Sequence, residues 1–263
     1  MALGCLCWLA SGPVQAGVGD PVYLAEQDTP GVVELYQLNV KSGVVTKLNG
    51  ELVLGGEVDS FQSDPKGKTL VYLADQDTNG TDELFWVDPK TGADIKVNAT
   101  LVDGGEVEEF QVGPKGRSVF YIADQDTQGD EELYRADLKS GVVTKLNGTL
   151  DTGGDVDSFQ VGPKGKSAFY IADQDTNGID ELYRVELKTG AVTKLNDPLA
   201  VNGNVDSFEI DPKGTSVVYL ADQDTNGTDE LYRVDLKTGA VTKVNLALPG
   251  ASGVEEFGIL GNL

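Results

Sequence analysis

Apolar and polar positions alternate over short stretches along most of the chain. In one representative part, four stretches of six or seven residues are VDSFQS (58–63), TLVYLAD (69–75), ELFWVD (83–88) and ADIKVN (93–98). Turn sequences rich in Asp, Pro, Gly and Lys separate them. Alternation with a period of two predicts β-strands, and no stretch keeps the 3.6-residue period of an amphipathic helix. We therefore predict an all-β protein.

The strand pattern repeats at a fixed interval. A Tyr-[Leu/Ile]-Ala triplet begins every 49 residues (72 − 23 = 49, and likewise after that), at Tyr23, Tyr72, Tyr121, Tyr170 and Tyr219. No insertion interrupts any unit. Four antiparallel strands in a unit of this length are typical of the blades of a β-propeller.

The two ends of the chain predict how the blades are arranged. The first unit begins at its second strand, near Val22, whereas the chain finishes with VEEFGIL (254–260), which matches the first strands of the other units. We therefore predict a closed five-bladed β-propeller over residues 17–263. Its C-terminal strand completes the N-terminal blade, which removes two free sheet edges.

The repeat itself resembles a known family. DPKGTSVVYLADQDTNGTDELYRVDLKTGAVTKVN (211–245) is similar to the repeats of TolB-type β-propellers in its Pro-Lys-Gly turn, its ELYRVDL strand and its TG…TK hairpin. The resemblance covers all five units and implies the blade fold. TolB-type proteins have six blades and a preceding domain, whereas this chain has five units. The resemblance therefore does not carry the Tol-system role to this chain.

Composition excludes several classes of function. The chain has 43 acidic and 20 basic residues, a formal net charge of −23, which argues against nucleic acids and anionic membranes as partners. It has no histidine, and its only cysteines are Cys5 and Cys7, so Ser-His-Asp and Cys-His catalysis are excluded. Residues 1–16 hold a short apolar run followed by Val-Gln-Ala, which predicts a signal peptide and export, with a disordered N-terminus as the alternative. The run is too short to span a bilayer, so we predict no membrane insertion.

The loop DQDTNGTDE (75–83), which recurs in the later units, is the strongest candidate for chemistry. Its pattern D-x-D-x-[DN]-G-x-x-[DE] resembles the calcium loops of integrin α-chain propellers, and calcium prefers six to eight oxygen ligands from a flexible loop. We predict calcium as a cofactor. The alternative is a hairpin turn, since Asn-Gly and Asp favour turns without a metal. The predicted ligands are Asp75, Asp77, Asn79, Thr81, Glu83, Asp124, Asp126, Gln128, Glu132, Asp173, Asp175, Asn177, Ile179, Glu181, Asp222, Asp224, Asn226, Thr228 and Glu230.

A second acidic set is predicted at the mouth of the central channel. One carboxylate per unit falls near the start of each first strand, namely Asp59, Glu108, Asp157, Asp206 and Glu255. Five carboxylates on a narrow ring repel one another, so they either stay solvated or share a cation. In a propeller this end also carries the acidic loops, whereas the PKG and KTG turns carry lysines to the opposite face. We therefore predict one acidic face.

Three functions remain open on the sequence. We favour a non-enzymatic, exported and monomeric scaffold that recognises a protein partner through the acidic face. An alternative is a carboxylate-based enzyme similar to glycoside hydrolases, which needs two carboxyl groups of different pKa. The inner acids are near-copies of one another, which disfavours that alternative. A sugar-binding propeller with one weak site per blade is the third possibility.

Overall fold

The computed structural model describes residues 19–88, 91–248 and 252–259, so the predicted signal peptide at 1–16 lies outside the described residues. The described residues contain nineteen strands. No helix in this part of the chain is long and apolar enough to cross a bilayer. The strands are β1 (Val22–Ala25), β2 (Glu34–Asn39), β3 (Val44–Lys47), β4 (Val58–Ser63), β5 (Leu70–Ala74), β6 (Glu83–Val87), β7 (Asp94–Lys96), β8 (Val107–Val112), β9 (Ser118–Ala123), β10 (Glu132–Asp137), β11 (Val143–Lys145), β12 (Val156–Val161), β13 (Ser167–Ala172), β14 (Glu181–Glu186), β15 (Ala191–Lys194), β16 (Val205–Ile210), β17 (Ser216–Ala221), β18 (Glu230–Asp235) and β19 (Val241–Lys243).

The strands form five antiparallel sheets, each of consecutive strands. The first sheet has the order β1-β2-β3, and the other four have four strands each, beginning with β4, β8, β12 and β16. The five-bladed all-β propeller predicted from the repeat is therefore confirmed. We number the blades 1 to 5 in chain order.

The core lies between neighbouring blades. One buried cluster joins Leu84 and Val97 of blade 2 to Val107 and Phe110 of blade 3, and equivalent clusters join the other successive blades. Within each blade, aromatic side chains of two adjacent strands stack on each other, with ring centroids 5.3–5.7 Å apart. The apolar side chains of the alternating strands thus fill the four spaces between successive blades.

Loops of the blades gather at two opposite ends. The loop between the second and third strands meets the loop that enters the blade, as in the hydrogen bond from Asn177 Nδ2 to Thr152 O (2.8 Å). At the other end, the turn between the first two strands meets the start of the last hairpin, where Leu187 N–H donates to Lys166 O (3.0 Å). We call the first end the acidic face and the second end the basic face, after the charges in their loops.

A β-bulge interrupts each of the four complete first strands. In blade 2, Val58 lies opposite Ala74 and Ser60 opposite Leu73, so Asp59 is the extra residue. Glu108, Asp157 and Asp206 are the extra residues of the other three bulges. A bulge bends the strand and redirects its side chains. In each case it falls on the predicted channel-mouth carboxylate.

The C-terminal segment 252–259 takes the place of a first strand next to blade 5. Val254 N–H donates to Asp229 O (2.8 Å), as Val205 N–H donates to Asp180 O (2.9 Å) one unit earlier. The segment has no assigned strand, and no hydrogen bond to β1 is found within residues 19–88, 91–248 and 252–259. The first blade has three strands there, and the closing pair of 254–260 with β1 stays a prediction.

Neighbouring first strands are joined by glutamine side chains. Gln62 Nε2 donates to Phe110 O (2.9 Å), and its Oε1 accepts from Val112 N–H (3.1 Å). Gln111 accepts from Val161 N–H (2.8 Å) in the same way. At the last such position Glu209 accepts from Ile259 N–H (2.7 Å). Each of these side chains therefore links the inner strand of one blade to the next inner strand.

Candidate functional site

The first aspartate of each acidic loop accepts hydrogen bonds from two backbone amides. Asp173 Oδ2 accepts from Gly178 N–H (2.7 Å) within the loop, and Oδ1 accepts from Asp155 N–H (2.5 Å) of the loop that enters the blade. Asp75, Asp124 and Asp222 make the same pair of contacts. The glycine has a positive φ, 77° at Gly178, which a residue with a Cβ adopts at a cost. This aspartate therefore shapes the turn and fastens the connection between blades.

The acids at the third and ninth loop positions form ion pairs with one lysine of the outer strand. Lys96 Nζ, from the outer strand β7, lies 2.7 Å from a carboxylate oxygen of both Asp77 and Glu83. The two carboxylates raise the Lys96 pKa against the lowering effect of its partial burial. All five blades repeat the arrangement, through Lys47, Lys96, Lys145, Lys194 and Lys243. A protonated side chain of the protein thus lies between the two acids that the calcium interpretation assigned to a metal.

The side-chain amide at the fifth position joins two loops. Asn177 Nδ2 donates to Thr152 O (2.8 Å), and Asn226 Nδ2 donates to Val201 O (3.0 Å). With its amide oriented to satisfy both atoms, Asn79 donates to Gly55 O (2.9 Å). Gln128 occupies this position in blade 3 and is exposed. These amides point at the loop that enters the blade.

The structure therefore divides the predicted calcium ligands among three tasks. Position 1 binds backbone amides, positions 3 and 9 bind the lysine, and position 5 binds the neighbouring loop. At position 7, Thr81, Ile179 and Thr228 donate their N–H within the turn (3.0–3.1 Å). The turn alternative accounts for all these contacts, and calcium binding stays a prediction.

A separate group of carboxylates gathers at the channel mouth. Oxygen atoms of Asp59, Asp75 and Asp82 all lie within 4.8 Å of one another. Asp59 comes from the bulge in β4, whereas Asp75 and Asp82 come from the two ends of the acidic loop. Partial burial, followed by the charge of Asp59 and a hydrogen bond with it, raises the Asp82 pKa to about 7. Because two ionised carboxylates this close repel, the pair holds a proton near neutral pH.

Blades 3 to 5 repeat this pairing. Burial first and the Asp157 charge second raise the Asp180 pKa to about 7, and burial with the Asp229 charge raises the Asp206 pKa to about 6. In blade 3, burial and the charge of Glu108 raise the pKa of Glu131. The channel-mouth acids Asp59, Glu108, Asp157, Asp206 and Glu255 are all exposed. Each of the first four has an acid of the same blade beside it.

Sequence reasoning missed the eighth loop position. Asp82, Glu131, Asp180 and Asp229 carry the carboxylates that face the channel mouth, but they were not among the predicted ligands. The missed pattern was an acid at this position in all four complete copies. It became meaningful only with the bulge, which turns Asp59 and its equivalents toward the loop.

The channel mouth also offers a geometry for a hard cation. Calcium–oxygen distances of 2.3–2.6 Å place two ligand oxygens less than about 5 Å apart, which the spacing of Asp59, Asp75 and Asp82 satisfies. This set shares only position 1 with the predicted ligand set. Among the residues the structure describes, it is the one such group of three. Lys96 lies between Asp77 and Glu83, whereas no lysine lies between Asp59, Asp75 and Asp82 in the described ion pairs, and calcium binding at either set stays a prediction.

Comparisons with known proteins agree with the fold. No protein-family model and no curated protein matches the sequence. The structure is similar to oligogalacturonate lyase in complex with manganese, with a TM-score of 0.57 and 15% identity over 85% of this chain and 61% of that one. It is similar to prolyl endopeptidases with a TM-score of 0.57 and 15% identity over 85% of this chain and 36% of theirs. TolB from Acinetobacter baumannii matches with a TM-score of 0.47 and 17% identity over 84% of this chain and 50% of that one.

The chain is a β-propeller. It spans less than two thirds of the length of each of these three structures. A TolB structure is among its neighbours. At these identities the similarity concerns the fold alone, because the same fold carries enzymes and binding proteins.

The lysine between positions 3 and 9 is expected to be stabilising. Replacing Lys145 by Met leaves Glu132, which is 8% exposed, with Tyr134 as its remaining side-chain partner. We expect a loss of about 1–2 kcal/mol in the free energy of unfolding, a value reduced because the lysine is partly exposed to solvent. Thermal unfolding followed by circular dichroism measures it. Lys139→Met, on an exposed turn, is the matched control, and equal melting temperatures for the two variants would contradict the assignment.

The Asp59–Asp82 pair predicts a dependence of stability on pH. The folded-state pKa of Asp82, about 7, exceeds the unfolded value of about 3.9, so the folded state binds more protons between pH 4 and 7. This contribution to stability therefore falls as the pH rises through that window. We expect Asp82→Asn to raise Tm at pH 8 by about 2–4 °C, as relief of about 1 kcal/mol of repulsion would do, with a smaller gain at pH 5. Asp103→Asn on an exposed loop is the control, and the same gain at both pH values would count against the pair.

Variants of Asp82 and Asp77 test whether calcium binds at the channel mouth or in the acidic loop. We expect millimolar calcium to raise Tm of the metal-stripped protein, since a ligand that binds only the folded state stabilises it. Asp82→Asn should abolish the rise, whereas Asp77→Asn should retain it. A Tm of the wild-type protein that calcium leaves unchanged would refute calcium binding. A rise in Tm that is lost only in Asp77→Asn would assign the ion to the predicted loop ligands.

Proposed function

We propose that the protein is a non-enzymatic binding propeller that recognises a protein partner through its acidic face. The observation that carries the proposal is the repeated carboxylate pair at the channel mouth, where burial and like charge raise the pKa values of Asp82, Asp180 and Asp206. A cationic side chain placed there would relieve the repulsion. The acidic face therefore favours basic groups on a partner, and the field of a −23 chain steers such a partner toward it.

Charge at the basic face supports a directional approach. Its described turns carry Lys66, Lys115, Lys164 and Lys213 among others, whereas the lysines of the outer strands are already paired with loop acids. Lys90, which the sequence also assigned to this face, lies outside the described residues. Unpaired acids at one end and lysines at the other orient the molecule in the field of a charged partner.

Residues 1–16 support export, and we propose that the propeller acts outside the cytoplasm as a monomer. Calcium, if it binds at Asp59, Asp75 and Asp82, would neutralise part of the acidic face and stabilise it.

The enzyme alternative has one observation in its favour, a carboxyl pair with a raised pKa in each of several blades. A glycoside hydrolase needs two carboxyl groups with separate roles, about 5–9.5 Å apart. The oxygens of Asp59 and Asp82 lie within 4.8 Å, and blade 4 repeats the pair as Asp157 and Asp180. Repetition of one pair gives no single acid a distinct role. Hydrolysis of any member of a glycoside panel by the wild-type protein, lost in Asp180→Asn, would establish the enzyme instead.

Capture of a partner on the two faces tests the binding proposal. The immobilised wild-type protein is exposed to an envelope or medium fraction of its source, and the captured protein is purified and rebound. We expect Asp157→Asn/Asp180→Asn to weaken rebinding about tenfold or more, as removal of facing charges does, and added salt to weaken it further. Lys164→Gln/Lys166→Gln on the basic face is the matched control. Equal loss in the two variants, or no salt dependence, would contradict recognition by the acidic face.

A further inference from the structure

Two recesses lie at equivalent positions on the acidic face of blades 3 and 4. Each has a volume of about 530 Å³ and is bounded by the end of the acidic loop, the outer strand and the loop that leaves the blade. Every lining residue described for blade 4 is 49 positions after one of blade 3. The two recesses therefore form a matched pair within one molecule.

The floor of the two recesses is the same. Blade 3 has Glu132 with Lys145, and blade 4 has Glu181 with Lys194 at 2.6 Å. The exit loops also share their backbone course, because Asn202 adopts a φ of 60° where Gly153 has 76°. Asparagine tolerates this left-handed conformation better than most residues with a Cβ. Differences between the recesses thus arise from the walls.

The walls differ in polarity. Four positions that are Asp130, Thr149, Asp151 and Thr152 in blade 3 become apolar in blade 4, where they are Ile179, Pro198, Ala200 and Val201. Val201 is 83% exposed, although it is a branched aliphatic side chain at the rim. Single exposed apolar residues are common, but here four apolar positions line one recess.

An exposed acid adjoins this apolar recess, because Asp197 directly precedes the lining residue Pro198. Asp180 directly follows the lining residue Ile179, although its carboxyl group interacts with Asp157 at the channel mouth. Glu181 at the floor is already paired with Lys194. The complementary ligand is therefore apolar at its centre and basic at its ends.

We propose that the blade 4 recess is the anchor point of the acidic face, and that it takes an apolar side chain of an extended protein segment flanked by Lys or Arg. The inference rests on the proposed function, since it names the chemistry of the same partner. A volume of about 530 Å³ accommodates one or two large side chains with their backbone. Anchors of this kind, apolar side chains in a pocket with charges at the rim, carry most of the affinity in protein interfaces. The polar recess of blade 3 provides charge without the anchor.

Synthetic peptides separate the two contributions. Fluorescein-labelled Lys-Leu-Leu-Lys, Lys-Ser-Ser-Lys and Glu-Leu-Leu-Glu, each with capped ends, are titrated with the full protein at low salt and followed by fluorescence polarisation. We expect Lys-Leu-Leu-Lys to bind with a Kd of about 1 mM or tighter, and the other two at least about tenfold more weakly. Amide shifts in ¹⁵N spectra should map to the blade 4 recess.

Exchange of residues between the recesses supplies the variants. Ile179→Asp/Val201→Thr gives blade 4 the residues with which blade 3 already folds, and should weaken Lys-Leu-Leu-Lys about tenfold, because two apolar contacts are lost. Asp130→Ile/Thr152→Val, the reverse exchange, should add a second binding site in blade 3. Circular dichroism confirms that both variants are folded.

The outcomes distinguish the anchor from the face. Equal binding of Lys-Leu-Leu-Lys and Lys-Ser-Ser-Lys, unchanged by the recess exchange but lost in Asp157→Asn/Asp180→Asn, overturns the anchor and leaves recognition by the acidic face intact. Absence of binding by Lys-Leu-Leu-Lys also overturns the anchor. Absence of binding by both lysine peptides counts against the acidic face as well.

Discussion

The acidic face depends on the two hydrogen bonds that the first aspartate of each acidic loop accepts. Its two oxygens accept one backbone amide within the loop and one from the segment that enters the blade, as Asp75 does from Gly80 and Glu57. Both amides lie outside the strand ladders, so a charged acceptor satisfies donors that the sheets leave open. The loop and its neighbour then share one geometry. The bulge acid Asp59 lies two residues after Glu57, so this hydrogen bond holds the segment that leads into the bulge against the acidic loop.

Charge on the acidic face is organised in two ways. Toward the periphery, a lysine from the outer strand lies between two carboxylates, so repulsion is already offset there. Toward the channel, acids such as Asp59 and Asp82 face each other without a basic side chain, and protonation is their remaining relief. At the channel mouth, a ligand therefore meets carboxylates that no basic side chain of the described residues offsets.

Alternation and the 49-residue interval were sufficient to predict the fold, because both arise from backbone geometry that every blade repeats. The site was harder to predict. Asp77 and Glu83 lie 13 or more residues from Lys96 in sequence, and only the pairing of β6 with β7 brings the three charges together. Asp82 lies beside Asp59 because of a bulge in β4, and no residue pattern in β4 predicts that bulge. Spacing along a loop indicated which side chains converge, but not which of them other parts of the blade already bind.

The glutamine links between inner strands end at the last blade. Glu209 replaces glutamine there and can only accept, and Gly258, 49 residues later, has no side chain with which to reach the next strand. Within the described residues, the Gln62 side chain holds the next inner strand by two hydrogen bonds, whereas the Glu209 side chain holds the C-terminal segment by one. A segment held by fewer contacts opens locally at a lower free-energy cost. Local opening should therefore be easier at 252–259 than at β8, and faster amide hydrogen exchange at Ile259 than at Val112 would report it.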